Sequence, residues 1–214
     1  MDKETFKKLR KEYTAGELSE NTVKINPFDQ FTVWFNEMLQ TTVPEPNAMM
    51  LATADLDGNV SARIVLLKAF SEAGLTFYTN YSSRKGQQLQ ANPKAALLFY
   101  WGDLQRQVRL EGQITKLSRE DSQGYFRSRP VESQLGAVAS SQSEELDDRE
   151  TLEIHLQKLR KEFSGKDIPL PETWGGYILQ PDYFEFWQGR KNRLHDRIYY
   201  RLIEDQWQIG RLYP

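Results

Sequence analysis

The segments AMMLATA (48–54), DLDGN (55–59) and VSARIVLLKAF (60–70) decide the fold of this chain. Two apolar runs flank Asp57-Gly58, a dipeptide that is typical of tight hairpin turns because glycine accepts a positive φ. The second run is rich in β-branched residues, which favour extended strands. The stretch therefore predicts an antiparallel β-hairpin, and apolar runs further along the chain continue the same pattern.

More strands, with helices inserted between them, follow the hairpin. Apolar runs predict strands over 75–79, 95–101, 105–117, 174–187, 193–202 and 206–212. Helical spacing and capping residues predict helices over 27–40, from Ser82 or Ser83 to Asn92-Pro93, from Ser118 to Arg129-Pro130, and from an acidic first turn at 144–150 to Phe163. Five or six antiparallel strands with inserted helices indicate a mainly β (α+β) protein built on a closed or partly closed barrel. We expect a flexible arm with a short helix over 1–26 and a single domain over 27–214.

Composition narrows the function classes. The chain has 214 residues, a net charge of −2, no cysteine and two histidines. A charge near zero without a long basic run argues against broad binding of nucleic acid or acidic membranes. The absence of cysteine excludes disulfides, thiol nucleophiles and Cys-based zinc sites. We therefore expect no metal site, and any redox chemistry requires an organic cofactor.

Other familiar signatures do not occur in the sequence. The fingerprints of Rossmann dinucleotide sites, P-loops and α/β-hydrolases are absent. Residues 1–13 lack the apolar core of a signal peptide, and no run approaches the ~18 apolar residues of a membrane span. We expect a cytoplasmic protein that does not insert into a membrane.

The segment WQGRKNRLHDR (187–197) carries the first candidate site. On an extended strand, Arg193, His195 and Arg197 would point to the same face. Two guanidinium groups beside an imidazole repel one another unless an anionic or electron-rich group covers them. With Trp187 just upstream, the segment predicts a surface for a flat, negatively charged ligand.

Two basic segments indicate phosphate binding. Arg63 and Lys68 flank an aliphatic run, but a regular strand sends residues five apart to opposite faces. Joint ligand binding would need a bulge, a strand end or a ligand that spans two chains, and a core strand with solvated ends is the alternative. The run YTNYSSRK (78–85) leads from a strand into a helix start, where free N–H groups and the helix dipole favour a phosphate. An ordinary Ser-capped helix is the alternative there.

A second phosphate site is suggested by Tyr125, Arg129 and Ser133, which recur every four residues. Pro130 interrupts any continuous helix, yet the three side chains could still converge around a turn as phenol, guanidinium and hydroxyl donors. A solvated helix end is the alternative interpretation.

The remaining polar candidates are less specific. Gln107 on a strand and Gln142-Ser143 in a loop could hydrogen-bond the edge of a heterocycle. His155 lies in a charged helix, so we expect it to be exposed and structural.

In this order along the chain, these segments resemble the pyridoxine (pyridoxamine) 5′-phosphate oxidase family. The resemblance extends from RKEY (10–13) to RLYP (211–214) and covers nearly the whole chain. The motifs that carry it are RIVLLK (63–68), FYTN (77–80), SRK (83–85), RQV (106–108), SRP (128–130), SQLG (133–136), SQS (141–143), WGG (174–176), EFWQ (185–188) and RLHDR (193–197). Each motif could arise by chance, but the ordered set could hardly do so.

The resemblance implies a split β-barrel homodimer that holds FMN in each of two clefts at the subunit interface. It implies oxidation of pyridoxine 5′-phosphate or pyridoxamine 5′-phosphate to pyridoxal 5′-phosphate by O₂, with release of H₂O₂ and, from the amine, of ammonia. Hydride transfer from the substrate C4′ to flavin N5 would be the central step, with positioning as the main contribution of the protein. The sequence does not indicate whether the alcohol or the amine is preferred.

The resemblance also implies the role of individual residues. FMN would be bound by Arg63, Ile64, Val65, Leu66, Leu67, Lys68, Tyr78, Thr79, Arg84, Lys85, Gln107, Gln142, Ser143, Trp187 and Arg197. The substrate would be bound by Lys68, Tyr125, Arg129, Ser133, Arg193, Leu194 and His195, with Arg193 and His195 as the catalytic residues over the pyridine ring. Two phosphates carry about four negative charges, which these cations can balance locally.

Two other functions fit the same sequence. One is a different flavin oxidoreductase on the same barrel, and the other is a non-enzymatic carrier of FMN or pyridoxal phosphate. Both would be yellow when purified with FMN, but only an oxidase would bleach anaerobically with pyridoxine phosphate and recover in air.

Overall fold

The predicted hairpin forms, and its turn is held by the residues that the sequence indicated. The computed structural model of the protein describes residues 2–9 and 12–214, so Arg10 and Lys11 of the RKEY motif lie outside the described residues. In the turn, the Asp55 carboxylate accepts hydrogen bonds from the N–H groups of Asp57 and Asn59 at 3.1 and 2.9 Å. Gly58 has a φ of +81°, which glycine tolerates without strain.

The strands of the described residues form one sheet. Its hydrogen-bonded order is β2-β1-β5-β6-β7-β4-β3, with β8 paired to β7 and β9 paired to β8. The pairs β3–β4, β4–β7, β7–β8 and β8–β9 are antiparallel. The strands are β1 (Ala48–Ala54), β2 (Val60–Leu66), β3 (Ala69–Ser71), β4 (Gly74–Asn80), β5 (Lys94–Trp101), β6 (Arg106–Lys116), β7 (Trp174–Gln188), β8 (Asp196–Ile203) and β9 (Gln206–Arg211).

Three helices begin at capping side chains that the sequence indicated. Asn26, Ser83 and Ser118 each accept a hydrogen bond from a first-turn N–H and so satisfy one of the free donors there. The helices are α1 (Lys3–Lys8), α2 (Pro27–Leu39), α3 (Arg84–Ala91), α4 (Arg119–Ser128), α5 (Val131–Ala139) and α6 (Arg149–Glu162).

The start of α6 differs from the prediction. We expected the acidic run 144–150 to form the first turn, but the helix begins at Arg149. The reason is the side chain of Asp148, which accepts from the N–H of Thr151 at 2.7 Å and caps the helix there. The acidic residues before Asp148 therefore precede the helix. His155 is exposed on α6, as predicted.

The chain divides into two compact units. The terminal unit comprises Met1–Met49, Leu97–Glu111 and Pro181–Pro214, and the central unit comprises Met50–Ala96 and Gly112–Gln180. The strands β5, β6 and β7 contribute residues to both units. The single domain over 27–214 and the arm over 1–26 stay predictions.

Each unit has its own apolar core. In the terminal unit, one face of α2 packs on strand aromatics, with Phe31 against Phe99 and Trp34 against Phe186 at ring separations of 5.2 Å. In the central unit, buried side chains of α4, α5, α6, the segment after α6 and the start of β7 form one cluster, which consists of Phe126, Leu135, Ala139, Leu159, Ile168, Leu170 and Trp174. Burial of this apolar area is the main force that holds each set of helices on the strands.

Among the described residues, no helix combines the length and the apolar character needed to cross a bilayer.

Candidate active site

A cleft of about 530 Å³ opens in the central unit on side chains that the sequence singled out. It is lined by Arg63, Ile64, Val65, Leu66, Lys68, Tyr78, Thr79, Lys85, Tyr125, Arg129, Pro130, Ser133, Gln142 and Trp174. All of these except Pro130 and Trp174 are predicted site residues. Three further predicted residues of this unit are not part of the lining: Leu67 is buried, and Arg84 and Ser143 are exposed.

The strand that carries Arg63 and Lys68 is interrupted, which corrects the prediction of one strand over 60–70. β2 ends at Leu66, and the main-chain N–H of Lys68 donates to the carbonyl of Thr76 at 2.8 Å. Leu67 turns into the core with 7% of its surface exposed. The interruption removes the alternation that would separate Arg63 from Lys68, so both side chains line the cleft. This is the strand-end geometry that joint ligand binding requires.

Lys85 lies at the start of α3 among neutral oxygen atoms. Its ammonium donates to Thr79 Oγ1 at 3.2 Å, to Ser83 Oγ at 3.2 Å and to Gln142 Oε1 at 2.8 Å. Burial, together with the positive charge of Arg63, lowers the pKa of Lys85 to about 8. The loop residue Gln142 is thus tied to the helix start through Lys85, as it also is to Thr79.

Arg63 is likewise held by neutral groups. Its Nη1 donates to the carbonyl of Leu51 at 3.2 Å and to Thr53 Oγ1 at 2.6 Å. Burial and the charge of Arg84 lower the pKa of Arg63. Arg63, Arg84 and Lys85 therefore repel one another at the start of α3. An anion with several oxygen atoms would relieve that repulsion.

Arg129 lies on an aromatic wall in the same cleft. The rings of Tyr78 and Tyr125 are stacked at 3.9 Å, and that of Tyr78 also stacks on Trp174 at 5.4 Å. A Cβ on Gly176 would lie 2.8 Å from the Tyr78 ring, so this glycine leaves room for the stack. The guanidinium carbon of Arg129 lies 4.8 Å from the centre of the Trp174 ring, a cation–π contact.

The charge of Arg129 is not matched in the described part of the chain. Its Nη1 atom is buried and has no hydrogen-bond partner among residues 2–9 and 12–214. Burial lowers the pKa of this guanidinium, with Tyr125 acting in the opposite direction. The turn at Arg129-Pro130 ends α4, and Ser133 follows in the first turn of α5. This turn brings Tyr125, Arg129 and Ser133 to one cleft, as the four-residue spacing suggested.

In the terminal unit, Arg193 and His195 do not lie on an extended strand, and that prediction was wrong. Residues Lys191–Arg193 form a 3₁₀ turn in which Asn192 and Arg193 have φ values of 56° and 62°. β8 begins only at Asp196. Left-handed backbone reverses the chain direction, so the alternating row expected for Arg193, His195 and Arg197 does not form.

His195 lies in an aromatic setting in a second cavity of about 480 Å³, which Arg193 and Tyr13 also line. Its ring lies 4.6 Å from that of Trp187 and 5.6 Å from that of Tyr13. Nδ1 accepts a hydrogen bond from the main-chain N–H of Arg190 at 3.1 Å. Burial and then the charge of Arg193 lower the pKa of His195, with Asp196 opposing them. A neutral imidazole that accepts at Nδ1 carries its proton on Nε2.

Arg197 differs from the prediction in having a carboxylate partner. Its Nε and Nη2 donate to the two carboxylate oxygens of Glu185 at 2.8 and 3.1 Å. Glu185 is buried, also binds Arg109 at 3.0 Å, and raises the pKa of Arg197.

The other predicted residues of the terminal unit are Gln107 and Leu194. Gln107 is half-buried on β6. Leu194 is 67% exposed and borders a cavity beside Arg190. The structure therefore brings together most of the predicted residues of the central unit in one cleft and, in the terminal unit, Trp187, Arg193 and His195. It does not show Gln107 or Arg197 in contact with His195.

Sequence reasoning missed several residues that hold these groups. Trp174 and Glu185 are in the WGG and EFWQ motifs that carried the resemblance, but neither was given a role. Arg190 and Tyr13, which contact His195, had no signal beyond their place near the motifs.

The donors of the central cleft suit phosphate. The described residues contain no cluster of three or more His, Asp or Glu side chains placed to hold a metal ion. The cations at the start of α3 and the unmatched buried nitrogen of Arg129 favour anions with several oxygen atoms. The rings of Tyr78, Tyr125 and Trp174 line the same cleft and could stack on a planar ring system.

Comparison with protein families agrees with this chemistry. The family model described as pyridoxamine 5′-phosphate oxidase matches residues 35–162. The chain belongs to the pyridoxamine 5′-phosphate oxidase family. A second family model, described as the pyridoxine 5′-phosphate oxidase C-terminal dimerisation region, matches residues 174–214. The resemblance inferred from the motifs is thus confirmed.

Relatives within this family match almost the whole chain. A protein of Cupriavidus taiwanensis is 54% identical over 207 residues, 96% of this chain and 97% of its own length. A protein of Cyanothece sp. is 52% identical over 206 residues, again 96% of this chain and 97% of its own length. Both carry the name pyridoxine/pyridoxamine 5′-phosphate oxidase.

Solved structures confirm the mainly β split-barrel fold expected for the family. PhzG from Burkholderia lata, in complex with tetrahydrophenazine-1-carboxylic acid, has a TM-score of 0.87 at 32% identity and covers 92% of this chain and 98% of its own. A pyridoxamine 5′-phosphate oxidase-related, FMN binding protein from Nostoc punctiforme has a TM-score of 0.70 at 19% identity and covers 89% of this chain and 99% of its own.

Proposed function

We propose that this protein is an oxidase of vitamin B6 phosphates that uses FMN. It oxidises pyridoxine 5′-phosphate or pyridoxamine 5′-phosphate to pyridoxal 5′-phosphate, passes the electrons to O₂, and releases H₂O₂ and, from the amine, ammonia. One observation carries the proposal: a single cleft is lined by four cationic side chains, enough for a phosphorylated cofactor and a phosphorylated substrate, and these are Arg63, Lys68, Lys85 and Arg129. The name shared by relatives above 50% identity supports it.

The first donor set is proposed to hold the FMN phosphate. Arg63, Arg84 and Lys85 supply the charge, and Thr79 and Ser143 supply hydroxyl groups. The lowered pKa of Lys85 supports this assignment, because the ammonium lacks an anionic partner that a phosphate would provide. The ring system is proposed to contact Ile64, Val65, Leu66, Leu67, Lys68, Tyr78, Gln107, Gln142, Trp187 and Arg197.

The second set is proposed to hold the substrate phosphate. Lys68 and Arg129 supply charge, and Tyr125 and Ser133 supply hydroxyl donors. The buried, unmatched Nη1 of Arg129 supports this role, because leaving a charged donor unsatisfied costs stability that a bound phosphate would recover.

Arg193 and His195 are the proposed catalytic residues, with Leu194 beside them in the substrate site. A neutral His195 with its proton on Nε2 can donate a hydrogen bond to a substrate oxygen without adding a full charge. Arg193 supplies the charge that holds the pyridine ring in a reactive orientation. Bound FMN supplies the hydride acceptor and the route to O₂.

We further propose that the protein is a cytoplasmic homodimer. The match of residues 174–214 to a dimerisation region supports the dimer, and the cysteine-free composition supports the compartment.

A second candidate is a flavin oxidoreductase with a different substrate. The likeness to PhzG, whose structure contains a phenazine carboxylic acid, favours it. The two functions differ in the substrate phosphate, which the Arg129 set would bind and a phenazine ligand lacks.

Anaerobic titration of the purified protein tests these functions against each other. For the proposed oxidase we expect a flavin absorbance spectrum that bleaches with pyridoxine 5′-phosphate and recovers on admission of air with formation of H₂O₂. A yellow protein that does not bleach would indicate an FMN carrier or an oxidoreductase with another substrate. A colourless protein that does not take up added FMN would overturn the proposal.

A further inference from the structure

The loop that carries Arg193 and His195 is held in a strained conformation. Asn192 and Arg193 are consecutive residues in the left-handed region, which non-glycine residues avoid. Such a backbone persists only where the surrounding structure fixes it. Inside the loop, the N–H of Leu194 donates to the carbonyl of Lys191 at 3.1 Å. Further contacts are made at its two ends, by Arg190 and Asp196.

Asp196 is the anchor at the C-terminal end. Its Oδ2 accepts from Arg190 Nη1 at 3.1 Å and from the main-chain N–H of Leu18 at 3.0 Å, and its Oδ1 accepts from Arg211 Nη1 at 2.8 Å. The Asp196 side chain is only 15% exposed. Glu17, the other carboxylate that contacts Arg190, is 81% exposed, so water and salt weaken that pair. Asp196 is therefore the stronger anchor for Arg190.

Arg190 links this anchor to the imidazole. Its guanidinium binds Asp196, while its main-chain N–H donates to His195 Nδ1 at 3.1 Å. A donor at Nδ1 excludes a proton from that nitrogen, so the neutral ring carries its proton on Nε2. The orientation and the tautomer of His195 thus depend on where Arg190 is held.

We propose that Asp196 is a positioning residue for the active site: by holding Arg190, it keeps the loop Arg190–His195 closed and fixes His195 as the Nε2–H tautomer. Arg193 and His195 then face the substrate together. The inference rests on the proposed function only in taking the substrate as the molecule that these two residues face.

Nitrogen NMR of the imidazoles gives a direct test, because the chain has two histidines. His155 is exposed on α6 and serves as an internal reference. At a pH where both rings are neutral, we expect the His195 signals of the wild-type protein to show a bare Nδ1 and a protonated Nε2. Signals that show a protonated Nδ1 would overturn the proposal.

Asp196→Asn keeps the size of the side chain but removes its charge. We expect the His195 signals to move towards a mixture of tautomers, with those of His155 unchanged. We also expect kcat/KM to fall by about tenfold, as for loss of a charged hydrogen bond. Arg190→Gln keeps the main-chain N–H but loses the ion pair, so it should shift the His195 signals in the same direction. If Asp196→Asn does not fold, the His195 signals of Arg190→Gln test the proposal in its place.

Glu20→Gln is the matched control. It removes the negative charge to which Arg211 donates at 2.8 and 2.9 Å but leaves the Arg190–Asp196 pair in place. We expect wild-type His195 signals in this variant. Wild-type His195 signals in folded Asp196→Asn and Arg190→Gln would overturn the proposal. A protein without oxidase activity that still shows the expected NMR changes would refute the proposed function and leave the positioning role intact.

Discussion

Arg129 combines the features on which the proposed substrate site depends most. Its guanidinium stacks on Trp174, its charge is partly buried, and one nitrogen has no partner within the described part of the chain. A substrate phosphate would supply the missing acceptor. The sequence suggested this residue from spacing alone, but its burial and the stacking depend on Trp174, which is distant along the chain.

Replacing Arg129 should weaken substrate binding more than turnover. For Arg129→Ala we expect KM for pyridoxine 5′-phosphate to rise by ~10–100-fold, because a charged hydrogen bond contributes about 1.5–3 kcal/mol. Steady-state kinetics measure this change. Arg127→Ala is the control, since Arg127 is exposed on the same helix and does not line the cleft. An unchanged KM in Arg129→Ala would remove this residue from the substrate site.

Lys85 should make FMN binding depend on pH. Its pKa in the folded, ligand-free protein is about 8, below the ordinary 10.5, so stability without ligand rises as pH increases from about 8 to 10.5. A bound phosphate favours the charged ammonium, so binding takes up a proton above pH 8. We expect the Kd for FMN to rise by up to about tenfold per pH unit above 8, as measured by flavin fluorescence. Lys85→Arg stays charged, and an equally steep dependence in that variant would exclude Lys85 as the cause.

The ion pair of Arg197 is a contact that the local sequence does not predict. Its charge appeared unbalanced in the sequence because its partner, Glu185, is on a neighbouring strand. The register of β7 and β8 places Trp187 opposite Arg197, so Glu185 is two residues further along the adjacent strand. Pairing of this kind is a tertiary property, and no local pattern predicts it.

At the level of elements, the sequence predicted best what is locally determined. The turn at Gly58 and the capped starts of α3 and α4 depend on a few neighbouring residues, and all three were found where expected. The interruption of the strand at Leu67 and Lys68 has no such signal. Leu67 leaves the strand because the core accepts it, and the core forms only when distant segments pack together.

At the start of α3, the proposed FMN site should depend on the stability of the helix. Ser83 is fully buried, accepts from the N–H of Gly86 at 3.4 Å and donates to the carbonyl of Asn80 at 2.6 Å. We expect Ser83→Ala to lower the free energy of unfolding by about 0.5–2 kcal/mol, as for loss of an N-cap. Urea denaturation measures the loss, and FMN affinity should fall with it because Lys85 also contacts Ser83.

Ser82 is the matched control for this cap. It is exposed and immediately precedes Ser83, so Ser82→Ala should change stability by less than about 0.5 kcal/mol. Equal losses in the two variants would show that the Ser83 hydroxyl has no special role in capping α3.

For the whole molecule, the order of the strands and helices follows from the sequence, whereas the distribution of the site does not. Residues proposed for one substrate occur in both compact units, with Arg129 in the central unit and Arg193 in the terminal unit. Neither periodicity nor spacing indicates this division, because both depend only on residues that are close together in the sequence. The left-handed backbone at Arg193 was equally unpredictable, since arginine gives no signal for it.

Mixed dimers test whether one active site draws on two chains. Suppose that each site uses Arg129 of one chain and Arg193 of the other. A dimer of one Arg129→Ala chain and one Arg193→Ala chain then has one doubly altered site and one intact site. With substrate well below the wild-type KM, each variant alone should show about a tenth of wild-type activity or less. Unfolding and refolding them together should restore about a quarter of wild-type activity, because half of the dimers are mixed and each has one intact site. If each site were formed within one chain, every site in the mixture would carry one substitution and activity would not return. Recovery therefore requires exchange of residues across the dimer, and its absence in refolded, FMN-loaded mixtures would contradict the shared site.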